Sequence, residues 1–202
     1  MRLYGIQDKL LMIVDNFLKR RQQSVKMGGS FSSFLNCEVG APQGTKLGPI
    51  LWLFYVNDLK AEGFHVVKYA DDTTFFKSFD NTNGSIAPAI LATQQWSEDN
   101  HMTLNTDKMV VLNVSLGQRS INHPINVNGT TIEPTSNTKF LGVTVDNKLS
   151  FTSHVDKVIS QCNSRIYLLR HLKVLGMNTE GLTRFYVTNV RSILSYAAPA
   201  WF

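Results

Sequence analysis

The stretch "KYADDTTFFKS", Lys68 to Ser78, sets two adjacent aspartates among apolar and β-prone neighbours. Consecutive strand residues point to opposite faces, so two carboxylates meant to act at one point cannot sit in mid-strand. A tight turn breaks that alternation. "HVVKYADDTTFFK" therefore reads as two strands joined at the aspartates, with Asp71 and Asp72 projecting into solvent at a fixed place. Two readings fit such a turn. Asp is a favoured turn residue, and a carboxylate pair also suits a hard, oxygen-seeking cation such as Mg²⁺. The stretch alone leaves both open.

Upstream, "GAPQGTKLGP" puts three glycines and two prolines into ten residues, too many breakers for a regular element. Pro49 suits the first turn of a helix, where its missing N–H would have had no partner. "PILWLFYVNDL" is apolar nearly all round, the pattern of a buried helix. A glycine-rich loop entering such a helix lets backbone approach a ligand closely, and Gln43 offers both a donor and an acceptor. A plain breaker loop would look the same. Further upstream, residues 6–20 read as a helix with Ile6, Leu10, Ile13/Val14 and Phe17/Leu18 on one face. Lys19-Arg20-Arg21 closes it, and Gly28-Gly29 marks a turn.

Downstream, residues 86–102 read as a helix, which Trp96 should pack onto the sheet. A turn at Asn105–Asp107 leads to a strand in "MVVLNVS". Further strand candidates are Ile125–Val127, Thr130–Ile132 and "KFLGVTVD", the last with its own glycine. The period then changes. Val155, Val158/Ile159, Cys162, Ile166 and Leu169 follow helical spacing, with Ser153 and Asp156 as a capping pair. A second helix runs through Leu182, Phe185/Tyr186, Val190 and Ile193. A mixed part to about residue 145 followed by an all-helical part makes the fold class α+β.

The 202 residues are 43% hydrophobic, the composition of a globular rather than a disordered chain. No run of about 18 apolar residues occurs, so no membrane span is expected. The N-terminus does not read as a signal peptide. Cys37 and Cys162 lack metal-site spacing and read as reduced thiols of an intracellular protein, nuclear or cytoplasmic. Net charge is +5, which favours an acidic partner. Residues 1–150 carry 14 Lys+Arg against 13 Asp+Glu, whereas residues 151–202 carry 6 against 2. The basic excess thus lies in the last quarter, as a solvated helical surface or a phosphate-binding one.

Five segments in order, "GAPQGTKLGPILWLFYVNDL", "YADD", "WSEDNHMTLNTDKM", "FLGVTVDNKLSFTSHV" and "VRSILSYAAPAWF", resemble the reverse transcriptase of a non-LTR retrotransposon of the jockey-like kind. The resemblance covers nearly the whole chain. It implies a partial polymerase palm over residues 1–145, antiparallel strands with helices packed on one face. The fingers and the first catalytic strand would be lacking. A helical thumb over residues 146–202 would follow. Asp71 would be a direct ligand of the catalytic metals, two Mg²⁺ ions, with Asp72 beside it near the primer end. Gln43 and Gly44 match the loop that packs against the incoming nucleotide and template. Lys108 matches a lysine that protonates the pyrophosphate leaving group. Phe140, Leu141 and Gly142 match the hairpin that grips the primer strand. The implied partners are an RNA template, a DNA primer and deoxynucleotides, and the basic thumb would neutralise duplex phosphates.

A complete palm needs a third carboxylate, which the family carries on a strand upstream of the helix at residues 6–20. Asp8 and Asp15 do not match it, and Asp58 is expected to bond locally rather than to bind metal. Two carboxylates cannot fully coordinate two Mg²⁺ ions. The isolated chain is therefore expected to be an inactive fragment. The alternatives are a non-catalytic nucleic-acid-binding remnant, using the thumb helices and Lys19-Arg20-Arg21, or a decayed reading frame.

Overall fold

The computed structural model describes residues 4–37, 40, 42–80, 84–117 and 123–202. The chain divides into two compact units, Met1–Ser78 with Ser85–Thr103, and Phe79–Gly84 with Leu104–Phe202. Among the described residues no helix is long and apolar enough to cross a membrane.

The first unit opens with α1 (Asp8–Leu18), where the helical period predicts it. Only Val14 is buried in α1. Leu10, Met12 and Ile13 are more than half exposed, so the expected apolar face stays largely uncovered. Next come β1 (Arg21–Gln23), β2 (Lys26–Met27), β3 (Ser30–Phe31) and β4 (Leu35–Cys37). β2 and β3 form an antiparallel hairpin inside the β1–β4 ladder. Gly28 and Gly29 turn it with positive φ, as the glycine pair predicts. Of the breaker-rich loop that follows, Ala41 lies outside the described residues.

The centre of this unit is α2 (Leu47–Val56), the hairpin of β5 (His65–Tyr69) and β6 (Asp72–Phe76), and α3 (Ala87–Asp99). Pro49 falls in the first turn of α2. Complete burial of α2 is not observed. Gly48 and Val56 are its buried residues, while Ile50 and Leu53 are 49% and 62% exposed. A helix apolar all round needs cover on every side, and its neighbours in this unit leave part of it open. The placement of Trp96 is also corrected. Its indole N–H donates to Asp58 Oδ1 at 2.8 Å, and its ring meets Tyr55 edge-on at 5.8 Å. Tyr55 in turn donates to the Asn100 carbonyl at 2.7 Å. Trp96 thus ties α3 to α2 rather than to a sheet, because a half-buried indole must find an acceptor and Asp58 supplies one. Asp58 bonds locally, as expected.

In the second unit, β7 (Val111–Leu112) pairs in parallel with β10 (Pro134–Thr135), against the expectation of antiparallel strands only. Between them, β8 (Ile125–Val127) and β9 (Thr130–Ile132), the two expected strands, pair as a hairpin turned by Asn128-Gly129 with both φ positive. "KFLGVTVD" is two strands rather than one: β11 (Asn137–Phe140) and β12 (Val143–Asp146) pair antiparallel. Every pairing among the described residues is two-stranded, so a wider palm-like sheet is not assembled there. The helical part runs as α4 (Thr152–Val174), α5 (Thr179–Tyr186), a π-helical segment Val187–Arg191, α6 (Ser192–Ser195) and α7 (Ala198–Trp201). Its core is Val158, Cys162 and Val190, with Ile166, Ile193 and Trp201 packed around them. The α+β class holds.

The start of α4 differs from the expected Ser153–Asp156 cap. Phe151 precedes the helix with φ +54° and no side-chain cap. Asp146, at the end of β12, braces the approach instead. Its carboxylate accepts from the backbone N–H groups of Lys148, Ser150 and Phe151 at 2.9, 3.1 and 2.7 Å, and from the Ser150 hydroxyl at 3.1 Å. These bonds, the Ser150 amide first, hold the carboxyl below its ordinary 3.8. A depressed carboxyl stabilises the fold above its unfolded-state value and loses that contribution as pH falls through the folded value. Asp146→Asn should therefore melt at a lower temperature than the natural chain at pH 7. The two melting temperatures should converge below about pH 4, as thermal scans across pH would record.

Candidate functional site

The paired aspartates stand where two strands meet. Tyr69 pairs with Asp72, which leaves Ala70-Asp71 as a two-residue turn. Asp71 lies in the turn and Asp72 opens β6, and both are exposed. Ala70 has φ +53°, a conformation that costs a residue with a β-carbon about 1 kcal/mol. Two bonds from the hairpin to α2 hold this turn. The Trp52 indole N–H donates to the Ala70 carbonyl at 2.6 Å. Lys68 Nζ donates to the carbonyl of Val56, the last residue of α2. Carbonyls at a helix C-terminus lack intrahelical partners, and that end of the dipole favours a cation. Burial lowers the pKa of the Lys68 ammonium, Asp58 opposes this, and Lys60 adds to it.

Gln43 and Gly44, both exposed, lie in the loop before the same helix. Gly44 has φ +73°. Thr45 closes this loop: its hydroxyl donates to the Pro42 carbonyl at 3.0 Å and accepts from the Gly48 amide at 3.1 Å. A β-carbon at position 48 would come within 2.5 Å of the Pro42 oxygen, so glycine is needed for this close approach. One helix therefore carries the Gln43-Gly44 loop at its start and anchors the aspartate turn further along.

The other predicted residues belong to the second unit. Lys108 is exposed at the end of a 3₁₀ turn, Thr106–Lys108. Leu141 and Gly142 form the two-residue turn between β11 and β12, with φ +44° and +91°, and Phe140 ends β11. The Tyr196 hydroxyl donates to the Leu141 carbonyl at 2.7 Å. Sequence reasoning did not find Trp52, Lys68 or Tyr196. A Trp or Tyr at a half-buried position announces that its polar end needs a partner, but nothing local in the sequence says which one.

Asp71 and Asp72 are hard oxygen donors of the right type for a divalent cation. Among the described residues, no three His, Cys, Asp or Glu side chains gather into a metal-holding group. Among the described residues the pair is thus an incomplete donor set for two ions.

The reverse transcriptase (RNA-dependent DNA polymerase) family matches residues 3–145. The chain is 31% identical over 163 residues to the RNA-directed DNA polymerase from mobile element jockey of Drosophila melanogaster, covering 74% of this chain and 18% of that protein. It is 25% identical over 204 residues to the probable RNA-directed DNA polymerase from transposon BS of the same fly, covering 94% and 22%. It is 28% identical to the Pol polyprotein from type-1 retrotransposable element R1 of Bradysia coprophila, covering 81% and 17%. The matched region spans about a fifth of the length of these relatives. No solved structure matches.

If the hold of α2 on the hairpin fixes the turn, Trp52→Phe should lower unfolding stability by about 1–2 kcal/mol in urea titrations. It should also speed amide exchange at Asp71 and Asp72. Ala70→Gly, which relieves the left-handed φ, should stabilise by up to about 1 kcal/mol, and Ala70→Val should destabilise.

Proposed function

The chain belongs to the reverse transcriptase (RNA-dependent DNA polymerase) family, and on that premise we propose that it is part of the polymerase core of a non-LTR retroelement protein. In that protein a primer 3′-hydroxyl attacks the α-phosphate of a deoxynucleotide, and pyrophosphate leaves. The single observation that carries the reading is the placement of Asp71 and Asp72 at the exposed tip of a hairpin anchored to a helix. Catalysis by carboxylate-held metal needs fixed, solvent-facing oxygen donors. Bound divalent ions, Mg²⁺ in this proposal, would supply hydroxyl activation and neutralise the leaving group. Asp71 is assigned as a direct ligand and Asp72 as its neighbour beside the primer end. Gln43 and Gly44 would line the nucleotide and template, and Lys108 would donate a proton to pyrophosphate. Phe140, Leu141 and Gly142 would bear on the primer. Residues 1–145 are assigned to the palm and 146–202 to the thumb.

The chain alone, with two gathered carboxylates, is assigned to binding without catalysis, and the remaining donors would come from the longer protein. Lys157, Arg165, Arg170, Lys173, Arg184 and Arg191 are all exposed on the helical part and suit phosphate contacts without sequence readout.

The purified chain should bind an RNA–DNA hybrid with affinity that falls with salt, about −0.9 in log–log slope per phosphate neutralised. Replacing Arg165 and Arg170 by Ala should flatten that slope by about 1–2. No binding at low salt would overturn this reading. Primer extension on an RNA template should be absent with the chain alone. In a longer retroelement protein carrying the upstream region it should be present, and Asp71→Ala should reduce it to background. Extension by the isolated chain, abolished by Asp71→Ala, would refute the assignment to binding only.

A further inference from the structure

The turn Leu141-Gly142 is held from both sides by residues of the helical part, and the links close into a ring. On one side the Tyr196 hydroxyl donates to the Leu141 carbonyl at 2.7 Å. The Tyr196 ring lies 3.1 Å from where a Gly142 β-carbon would stand, a tight contact at a position whose φ of +91° also favours glycine. The Tyr196 backbone carbonyl accepts from the Trp201 indole N–H at 2.9 Å. The Trp201 ring meets His154 edge-on at 5.1 Å. On the other side of the turn, the buried His154 accepts at Nδ1 from the Thr144 amide, at 3.3 Å. That amide belongs to β12, two residues past Gly142.

The π-helical segment Val187–Arg191 sets the phase of this arrangement. A π turn inserts an extra residue into the helical repeat and rotates everything downstream. Asn189 Nδ2 of the segment donates back to the Phe185 carbonyl of α5 at 3.0 Å, and Val190 within it is 1% exposed. Past it, Tyr196 faces the hairpin.

Leu141 is a non-glycine residue at φ +44°, a conformation its backbone does not favour on its own. We propose that Tyr196 is a positioning residue for the primer-contacting turn. By holding the Leu141 carbonyl, it would keep the left-handed turn in the one shape that presents its backbone to a DNA strand. This rests on the assignment of residues 140–142 to primer contact made above.

Tyr196→Phe keeps the ring against Gly142 and removes only the hydroxyl. Trp201→Phe keeps an aromatic ring beside His154, removes the donor to Tyr196 and gives up part of the indole's packing on the Val158–Cys162–Val190 core. Each would be measured by thermal melting, amide exchange at residues 141–144, and fluorescence anisotropy. The anisotropy would use two hybrids of equal length, one with a recessed primer 3′ end and one blunt. Tyr196→Phe should leave the melting temperature near that of the natural chain and speed exchange at the turn. It should weaken the recessed hybrid about fivefold, the size of one neutral hydrogen bond, with little change for the blunt one. Trp201→Phe should shift the same ratio in the same direction. Equal weakening of both hybrids would reduce Tyr196 to a structural role and overturn the proposal, as would unchanged exchange or unchanged binding in Tyr196→Phe. If the natural chain bound neither hybrid, the functional assignment itself would fall. That result is distinct from a natural chain that binds and a variant that binds equally well.

Discussion

The last carbonyls of α2 have no partners inside the helix, and the strand next to it carries a lysine. That mismatch between a helix end and a nearby cation organises the first unit. Lys68 reaches the Val56 carbonyl, and Trp52 reaches back to the Ala70 carbonyl. One bond runs from strand to helix and the other from helix to strand. Together they lock the hairpin against the helix and determine where its tip stands. The loop bearing Gln43 and Gly44 enters the same helix, so its position is set by the same element. Asp58 strengthens the arrangement twice, as acceptor for Trp96 and as the carboxylate that favours a charged Lys68.

The second unit solves a related problem by other means. Its hairpins are short, and each ladder among the described residues has two strands. Short ladders have few bonds of their own, and isolated two-stranded hairpins are marginal in water. Side chains from outside the ladder supply the difference. Asp146 gathers three backbone amides before α4, and Tyr196 and His154 hold opposite ends of the β11–β12 turn region.

Legibility in the sequence tracked the range of the interaction. The helix periods of α1, α3 and α4 and the turn at the aspartates depend on neighbours a few residues away, and these were readable. Ile125–Val127 and Thr130–Ile132 read as strands from residue type, and their pairing through Asn128-Gly129 comes from the structure. Leu141-Gly142 gives little turn signal, because a leucine at positive φ is uncommon, and "KFLGVTVD" reads as a single strand. The failures were non-local. Ser153 and Asp156 do not cap α4, which has no side-chain cap; Asp146 in the preceding strand braces the chain before it instead. Trp96 was assigned to a sheet and bonds a residue 38 positions away. Burial of α2 was inferred from its composition alone, and composition does not say how many sides find cover. The resemblance to reverse transcriptases identified the family that the match over residues 3–145 establishes.

The π-helical segment has a consequence for how this chain can vary. A change that turned residues 187–191 into ordinary α-helix at the same residue count would swing everything downstream by about 100° around the axis, carrying Tyr196 away from Leu141. A one-residue deletion inside the segment would instead remove the extra residue together with the wide turn, and Tyr196 would keep its phase. The segment behaves as slack in the helix: it can give up one residue and leave the hairpin contact in place, whereas a deletion in the flanking α-helical turns cannot.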